Sequence, residues 1–240
     1  MKVAVCYSGL VRNFFDTIYS HKKYLLDLYE CDVFFHLWDV VGKTHVGFPK
    51  MISGEQTDTI NDEIKNKINL LLSPKIGEFE SFKNKDEELN LITNRFNLSV
   101  EHFNPRHVVG MYYSINNVHK KLVIYQNINN IMYDVVIRIR SDILFTDEVR
   151  LDKPEENVLV TPQVHNYPIN DQFGYGDIRT MNVYANLYDK ICNINPIGFD
   201  LHPENALRNH LQENNIRIKT DASIKYELVR TQSDGTLTFA

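Results

Sequence analysis

"YDVVIRIRSDILF", residues 133–145, begins as a buried strand with Val135, Val136 and Ile137, then sets Arg138, Arg140 and Asp142 into the same run. Side chains of a strand alternate between faces. Ile137, Ile139 and Ser141 therefore share one side, and Arg138, Arg140 and Asp142 the other. Arginine and aspartate are almost never fully buried unless paired, so this face must meet solvent, partner charges or a polar ligand. At about 3.3 Å per residue, Arg138 lies roughly 13 Å behind Asp142, which suits it to a structural ion pair and places Asp142 nearest any cleft at the strand end.

The flanking segments supply the rest of a sheet. KVAVCYSGL, residues 2–10, is a short apolar run ending in Ser-Gly. RNFFDTIYSHKKYLLDLY, residues 12–29, follows with apolar residues at roughly helical spacing, and CDVFFHLWD, residues 31–39, returns to strand composition. Strand, helix, strand is the opening of a parallel sheet wrapped by helices. Residues 40 to about 105 are richer in Lys, Glu, Asn, Gly and Pro and read as an exposed insertion, with helical patterns at 59–72 and 86–96. A long helix is expected over about 106–129, leading into the quoted strand. Beyond it come a strand in ENVLVTP (156–162) and a two-glycine loop in NDQFGYGD (170–177) running into a helix from about Ile178. HPENALRNHLQENN (202–215) reads as a further helix, with Pro203 allowed in its first turn, and IRIKTDASIKYELVR (216–230) as one or two closing strands.

The 240 residues are 43% hydrophobic, enough for the core of one α/β domain, and the net charge of −5 gives no general attraction to nucleic acid or an anionic membrane. Three cysteines, Cys6, Cys31 and Cys192, have no metal-ligand spacing and read as reduced, which with the lack of a signal peptide or an apolar span points to the cytoplasm. Neither a dinucleotide fingerprint nor a P-loop follows the first strand, and no zinc or serine-hydrolase motif is present.

In open α/β sheets ligands bind beyond the carboxyl ends of the strands. The first strand ends in Tyr7-Ser8-Gly9 with Arg12 close behind, the second in His36-Leu37-Trp38-Asp39, and the third in Arg140-Ser141-Asp142. Gly9 permits close backbone approach, and Arg12 could clamp a phosphate, although a plain turn and a solvated arginine explain both equally well. Asp142 could hold Mg²⁺ or Mn²⁺, or simply pair with Arg140 or Arg138. Asp171, in the glycine-bearing loop, is placed to orient or deprotonate a hydroxyl, with Glu204 a second candidate that the helix dipole also explains.

The ordered series YSGLVRN, CDVFFHLWD, MYYSINNVHKK, YDVVIRIRSDILF and NDQFGYGDIRTMNVYANLYDKI resembles a group of bacterial and viral glycosyltransferases that includes WavE-like proteins of lipopolysaccharide synthesis. The resemblance implies a GT-A-like single domain built on a Rossmann-like, mixed but mostly parallel sheet flanked by helices. Residues 1–145 would bind the nucleotide sugar, a UDP- or GDP-sugar, and residues 146–240 the glycan acceptor. It further implies Ser8, Gly9, Arg12, Asp39 and Arg140 at the donor, a divalent cation (Mn²⁺ or Mg²⁺) on Asp142, and Asp171 or Glu204 on the acceptor side. Arg140 stands where such enzymes carry the first aspartate of D-x-D. Two rival expectations are a nucleotidyltransferase acting on sugar phosphates and a non-catalytic glycan- or nucleotide-binding domain of the same fold.

Overall fold

A computed structural model describes residues 1–42, 58–96, 104–232 and 234–240. Its centre is β1 (Lys2–Leu10), hydrogen-bonded in parallel register to β2 (Glu30–Trp38) on one side and to β4 (Val135–Ile139) on the other. On the far side of β2 lies β3 (Ile76–Glu80), also parallel. Past β4 come β7 (Phe173–Gly176), β6 (Val158–Pro162) and β8 (Arg217–Asp221), giving the order β3-β2-β1-β4-β7-β6-β8. Only β7 runs against the rest. A second, three-stranded antiparallel sheet joins β5 (Ile143–Phe145), β9 (Tyr226–Thr231) and β10 (Leu237–Phe239).

Alternation along the strands divides the interior into two cores. Val3, Val5, Tyr7, Val135, Ile137 and Ile139 face α1 (Phe14–Tyr24) and α2 (Asp62–Leu72), together with the second sheet. Ala4, Cys6 and Val136 face the other way, towards α3 (Asp86–Thr93), α4 (Pro105–Asn129), α5 (Ile178–Ala185), α6 (Leu187–Asn193) and α7 (Pro203–Glu213). Burial on both faces is why these strands carry near-continuous Val, Ile and Ala. The result is one α/β domain with a mostly parallel, Rossmann-like sheet between helices, as the sequence implied.

The helix α4 is sharply delimited at both ends. The Asn104 side chain accepts the Arg106 amide at 3.0 Å, Pro105 occupies the first turn where its missing N–H costs nothing, and Asn130 ends the helix in the left-handed region at φ 50°. Midway along, Gly110 lets the Phe82 ring lie against the helix, since a Cβ there would stand 3.1 Å from the ring. Trp38 Nε1 donates to the Gly110 carbonyl at 3.2 Å, fixing the end of β2 to the same point.

Three expectations need correction. Residues 58–96 are no mere insertion, because β3 extends the main sheet and α3 packs on α4; the stretches 43–57 and 97–103 lie outside the described residues. The two-glycine loop is in fact strand β7, since FGYG hydrogen-bonds to β4 on one side and β6 on the other. Finally, β4 stops at Ile139, so Arg140 and Asp142 belong to the turn into β5, and their grouping does not come from strand alternation. Among the described residues no helix is long and apolar enough to cross a membrane, and Cys6, Cys31 and Cys192 are free thiols.

Candidate functional site

Successive strands run outward from β1 to β2 and β3, after which the chain crosses back to place β4 on the opposite side of β1. The carboxyl ends of β1 and β4 thus flank the point where the strand order reverses, the place where open α/β sheets form their ligand crevice. A cleft of about 180 Å³ opens there. Leu10, Trp38, Phe82, Val108 and Met111 give it an apolar wall, and Ser8, Arg12, Arg138 and Arg140 a polar one.

On the polar wall, Gly9 takes φ +105°, a conformation that glycine adopts without steric cost, and its amide donates to Ser114 Oγ at 2.7 Å. The neighbouring Ser8 hydroxyl is buried at the cleft with no hydrogen-bond partner among the described residues. Arg12 follows, itself at φ 47° and tied by its amide to the Val41 carbonyl at 2.7 Å. Its guanidinium reaches Asp142 Oδ2 at 3.3 Å. Arg140 grips the same carboxylate with both arms, Nε to Oδ1 at 2.9 Å and Nη2 to Oδ2 at 2.5 Å.

Burial alone would push the Asp142 carboxyl up, but the charges of Arg140 and Arg12 outweigh it and hold Asp142 well below the ordinary carboxylate range. Arg140 is raised by the same pairing against its own desolvation, whereas Arg12 is lowered by burial and by the positive charge of Arg140.

Arg138 sits deeper, 1% exposed, on the α4 side of the sheet beside Val136. One guanidinium nitrogen donates to the Gln172 carbonyl, while Nε and the other terminal nitrogen have no partner among the described residues. The loop before β7 is shaped to present that carbonyl. Asn170 Oδ1 accepts the amides of Gln172 and Phe173, each at 2.9 Å, and the Gln172 carbonyl also takes the Arg140 amide at 3.1 Å. Arg138 therefore forms no structural ion pair among the described residues, contrary to the expectation from its spacing.

Asp142 does not fit a metal ligand. It is wholly buried, both its oxygens are taken by guanidinium groups, and it lies outside the cleft lining. Among the described residues there is no group of three or more His, Cys, Asp or Glu side chains able to hold an ion. Every charged side chain on the cleft wall is cationic, which favours an anion and repels Mg²⁺ or Mn²⁺.

Of the other expected residues, Ser8, Gly9, Arg12 and Arg140 line the cleft and Asp39 does not. Asp39 Oδ1 instead accepts the Phe82 amide at 3.1 Å, so it positions the aromatic wall. Asp171 is 5% exposed, in the loop that clasps the arginines. Glu204 stands in the first turn of α7, next to cleft-lining Pro203, with Oε2 3.0 Å from His202 Nδ1. Burial, and then the negative charge of Asp171, push Glu204 up to about 7.

Three contributors were missed. Arg230, on β9, is carried to the site by the Val229 amide, which donates to the Asp142 carbonyl at 2.9 Å; its Nε is buried without a partner among the described residues. Asn104 and His107 bring the N-terminal end of α4 to the cleft. Burial and the charges of Arg106 and Arg12 hold His107 down at about 4, so it is neutral near pH 7. The Asn-Pro pair at 104–105 was the available signal for this helix start. For Arg230 the signal was weaker, an arginine at the end of the last apolar strand run.

A family model described as Domain of unknown function (DUF7796) matches residues 60–231. That span includes Arg138, Arg140, Asp142, Asp171, Glu204 and Arg230, while Ser8, Gly9 and Arg12 precede it. No curated protein matches the chain.

Proposed function

We propose, for a chain that belongs to the DUF7796 family, that the cleft binds a nucleotide sugar and that the protein transfers its sugar to a hydroxyl of a glycan. One observation carries this reading: at the reversal point of the sheet, three arginines line one cleft together with apolar and aromatic side chains. A UDP- or GDP-sugar matches that lining, with an anionic diphosphate between flat or weakly polar ends. The diphosphate lies against Arg12, Arg138 and Arg140, and the positive end of the α4 dipole adds a field of the same sign. Phe82, Met111 and Leu10 receive a ring face.

In the transfer the bond from the anomeric carbon to the diphosphate oxygen breaks, and its electron pair leaves with the diphosphate. The acceptor oxygen forms the new bond to that carbon, and its proton passes to a carboxylate. Arginines aimed at the departing group stabilise the charge that develops there. Glu204 is the better proton acceptor of the two expected carboxylates, because a base poised near neutrality combines availability with driving force; Asp171 beside it raises that basicity.

A thermal-shift panel of UDP, GDP and their sugars tests the reading, since a ligand that binds only the folded state raises Tm by mass action. Saturating UDP or GDP should raise Tm by several degrees, and incubation of the matching sugar nucleotide with acceptor glycans should release the free diphosphate. If no nucleotide shifts Tm, the reading is lost. Formation of a nucleoside diphosphate sugar from a nucleoside triphosphate and a sugar phosphate, with release of pyrophosphate, would replace it with nucleotidyl transfer.

A further inference from the structure

We infer that the donor diphosphate is held and neutralised by arginines with no divalent cation, and that Arg138 makes the deepest contact with it. The inference rests on the preceding reading of the cleft and assigns its charge chemistry.

Arg138 is the first ground. A guanidinium buried to 1% exposure with two nitrogens unpartnered is costly, and a cost of that kind persists where a ligand completes the pairing. Asp142 is saturated by Arg140 and Arg12 and forms no ion pair with Arg138. A small cavity of about 10 Å³ beside Arg138, Cys6 and His119 is on the scale of a single water, which would satisfy an N–H and leave the charge uncompensated. Arg138 also borders the main cleft, where an anion has access.

The charge balance is the second ground. Arg12, Arg138, Arg140 and Arg230 gather around the buried carboxylates Asp142 and Asp171, with Glu204 half-buried beside cleft-lining Pro203. Four guanidinium groups outnumber these three carboxyl groups even when Glu204 is ionised, so the site carries a net positive charge that an anionic diphosphate offsets. A divalent cation placed among them would add to the excess.

The donors are the third ground. What the site offers from Ser8 and the arginines is predominantly N–H and O–H groups, which suit phosphate oxygens and not a hard cation. Asp142 is then a positioning residue that holds Arg12 and Arg140 at their stations.

Calorimetric titration of UDP, GDP, UDP-glucose and GDP-mannose, in EDTA and again in Mn²⁺, separates the possibilities. The expected result is binding of at least one diphosphate in EDTA with a Kd within about threefold of its value in Mn²⁺. Binding that appears only with Mn²⁺, or tightens more than about tenfold with it, overturns the inference and leaves the proposed function standing. No binding under either condition removes both. Arg138→Met should weaken the EDTA affinity by more than about tenfold, and Arg138→Lys should recover only part of it because the planar fork is lost. Wild-type affinity in a folded Arg138→Met protein overturns the role given to Arg138. If that variant fails to fold, Arg230→Gln provides the second reading, with at least a threefold loss expected in EDTA and wild-type affinity counting against an all-arginine site.

Discussion

Two buried polar clusters lie side by side at the carboxyl ends of β1, β2 and β4, and they differ in whether they are closed. In the first, His36 bonds Ser114 Oγ at 3.1 Å through Nδ1 and Glu80 Oε2 at 2.8 Å through Nε2. Ser114 Oγ donates to the His36 carbonyl at 2.7 Å and accepts the Gly9 amide, and Tyr113 reaches the other oxygen of Glu80 at 3.1 Å. Each of these side chains finds its partners within the cluster. In the second, Arg12, Arg140 and Asp142 are paired, yet Arg138, Arg230 and Ser8 keep buried groups without partners. Burial and polarity are shared. The closed cluster accounts for itself as structure, whereas the open one implies something that arrives from outside.

The comparison is broken most severely at Asp142, the carboxylate on which the paired part of the open cluster converges. Asp142→Asn removes the charge that Arg12 and Arg140 share and leaves two buried guanidiniums uncompensated, at a cost of roughly 3–5 kcal/mol. For a domain of this size that is a fall in Tm on the order of 10 °C. Calorimetry on the purified variant checks it, and an unchanged Tm would mean that the arginines never depended on the carboxylate. Excess pyrophosphate should restore part of the loss.

His36→Leu breaks the closed cluster. It strands Glu80 and removes one partner from Ser114, so urea unfolding should show a loss of roughly 2 kcal/mol. No diphosphate should rescue it, because its missing partner was internal. Rescue by pyrophosphate equal to that of Asp142→Asn would erase the distinction between the clusters.

Glu204 sharpens the comparison through pH. Its folded value, about 7, lies above the ordinary 4.5 because of burial first and Asp171 second, with Arg140 opposing more weakly. The native state therefore holds more protons than the unfolded chain between those values. Stability from this group is complete below the unfolded value and is lost as pH rises through about 7. Asp142 behaves oppositely: its lowered value contributes stability that is lost only as the solution becomes strongly acidic. Between about pH 5 and about pH 8 the wild type should lose roughly 1–2 kcal/mol relative to Glu204→Gln, with solvent screening allowed for. Parallel urea midpoints for the two proteins across that range would rule it out.

Much of this was readable from residue order. The apolar runs of β1, β2 and β4 and the length of α4 survive any reasonable packing, and the strand-end rule led directly to Ser8, Gly9, Arg12 and Arg140. What failed depended on distant partners. IGEFE is too polar to announce β3, an edge strand with two exposed positions, and FGYG becomes β7 only because β4 and β6 pair with its backbone. Asp142 looked like a metal ligand because spacing does not say that Arg140 takes both its oxygens or that Arg12, from another strand end, shares one of them. Arg230 arrives only through the pairing of β5 with β9, two segments far apart in the chain.

The smallest expected stability effect is the most informative about the open cluster. Arg138→Met replaces a buried guanidinium by an apolar side chain of comparable reach, among Cys6, Ile115, Val136 and Met181. What is lost is one bond to the Gln172 carbonyl, which still receives the Arg140 amide. What is removed is a desolvated positive charge with no direct carboxylate partner, and exchanging buried ionic groups for well-packed apolar ones is often neutral or favourable. Urea unfolding in the absence of nucleotide should therefore show a change within about 1 kcal/mol of wild type, or a gain. A loss of about 3 kcal/mol would mean that Arg138 is held by the fold itself, and the open cluster would then be as structural as the closed one. Stability retained alongside lost diphosphate affinity is the combination that marks a residue kept for a ligand.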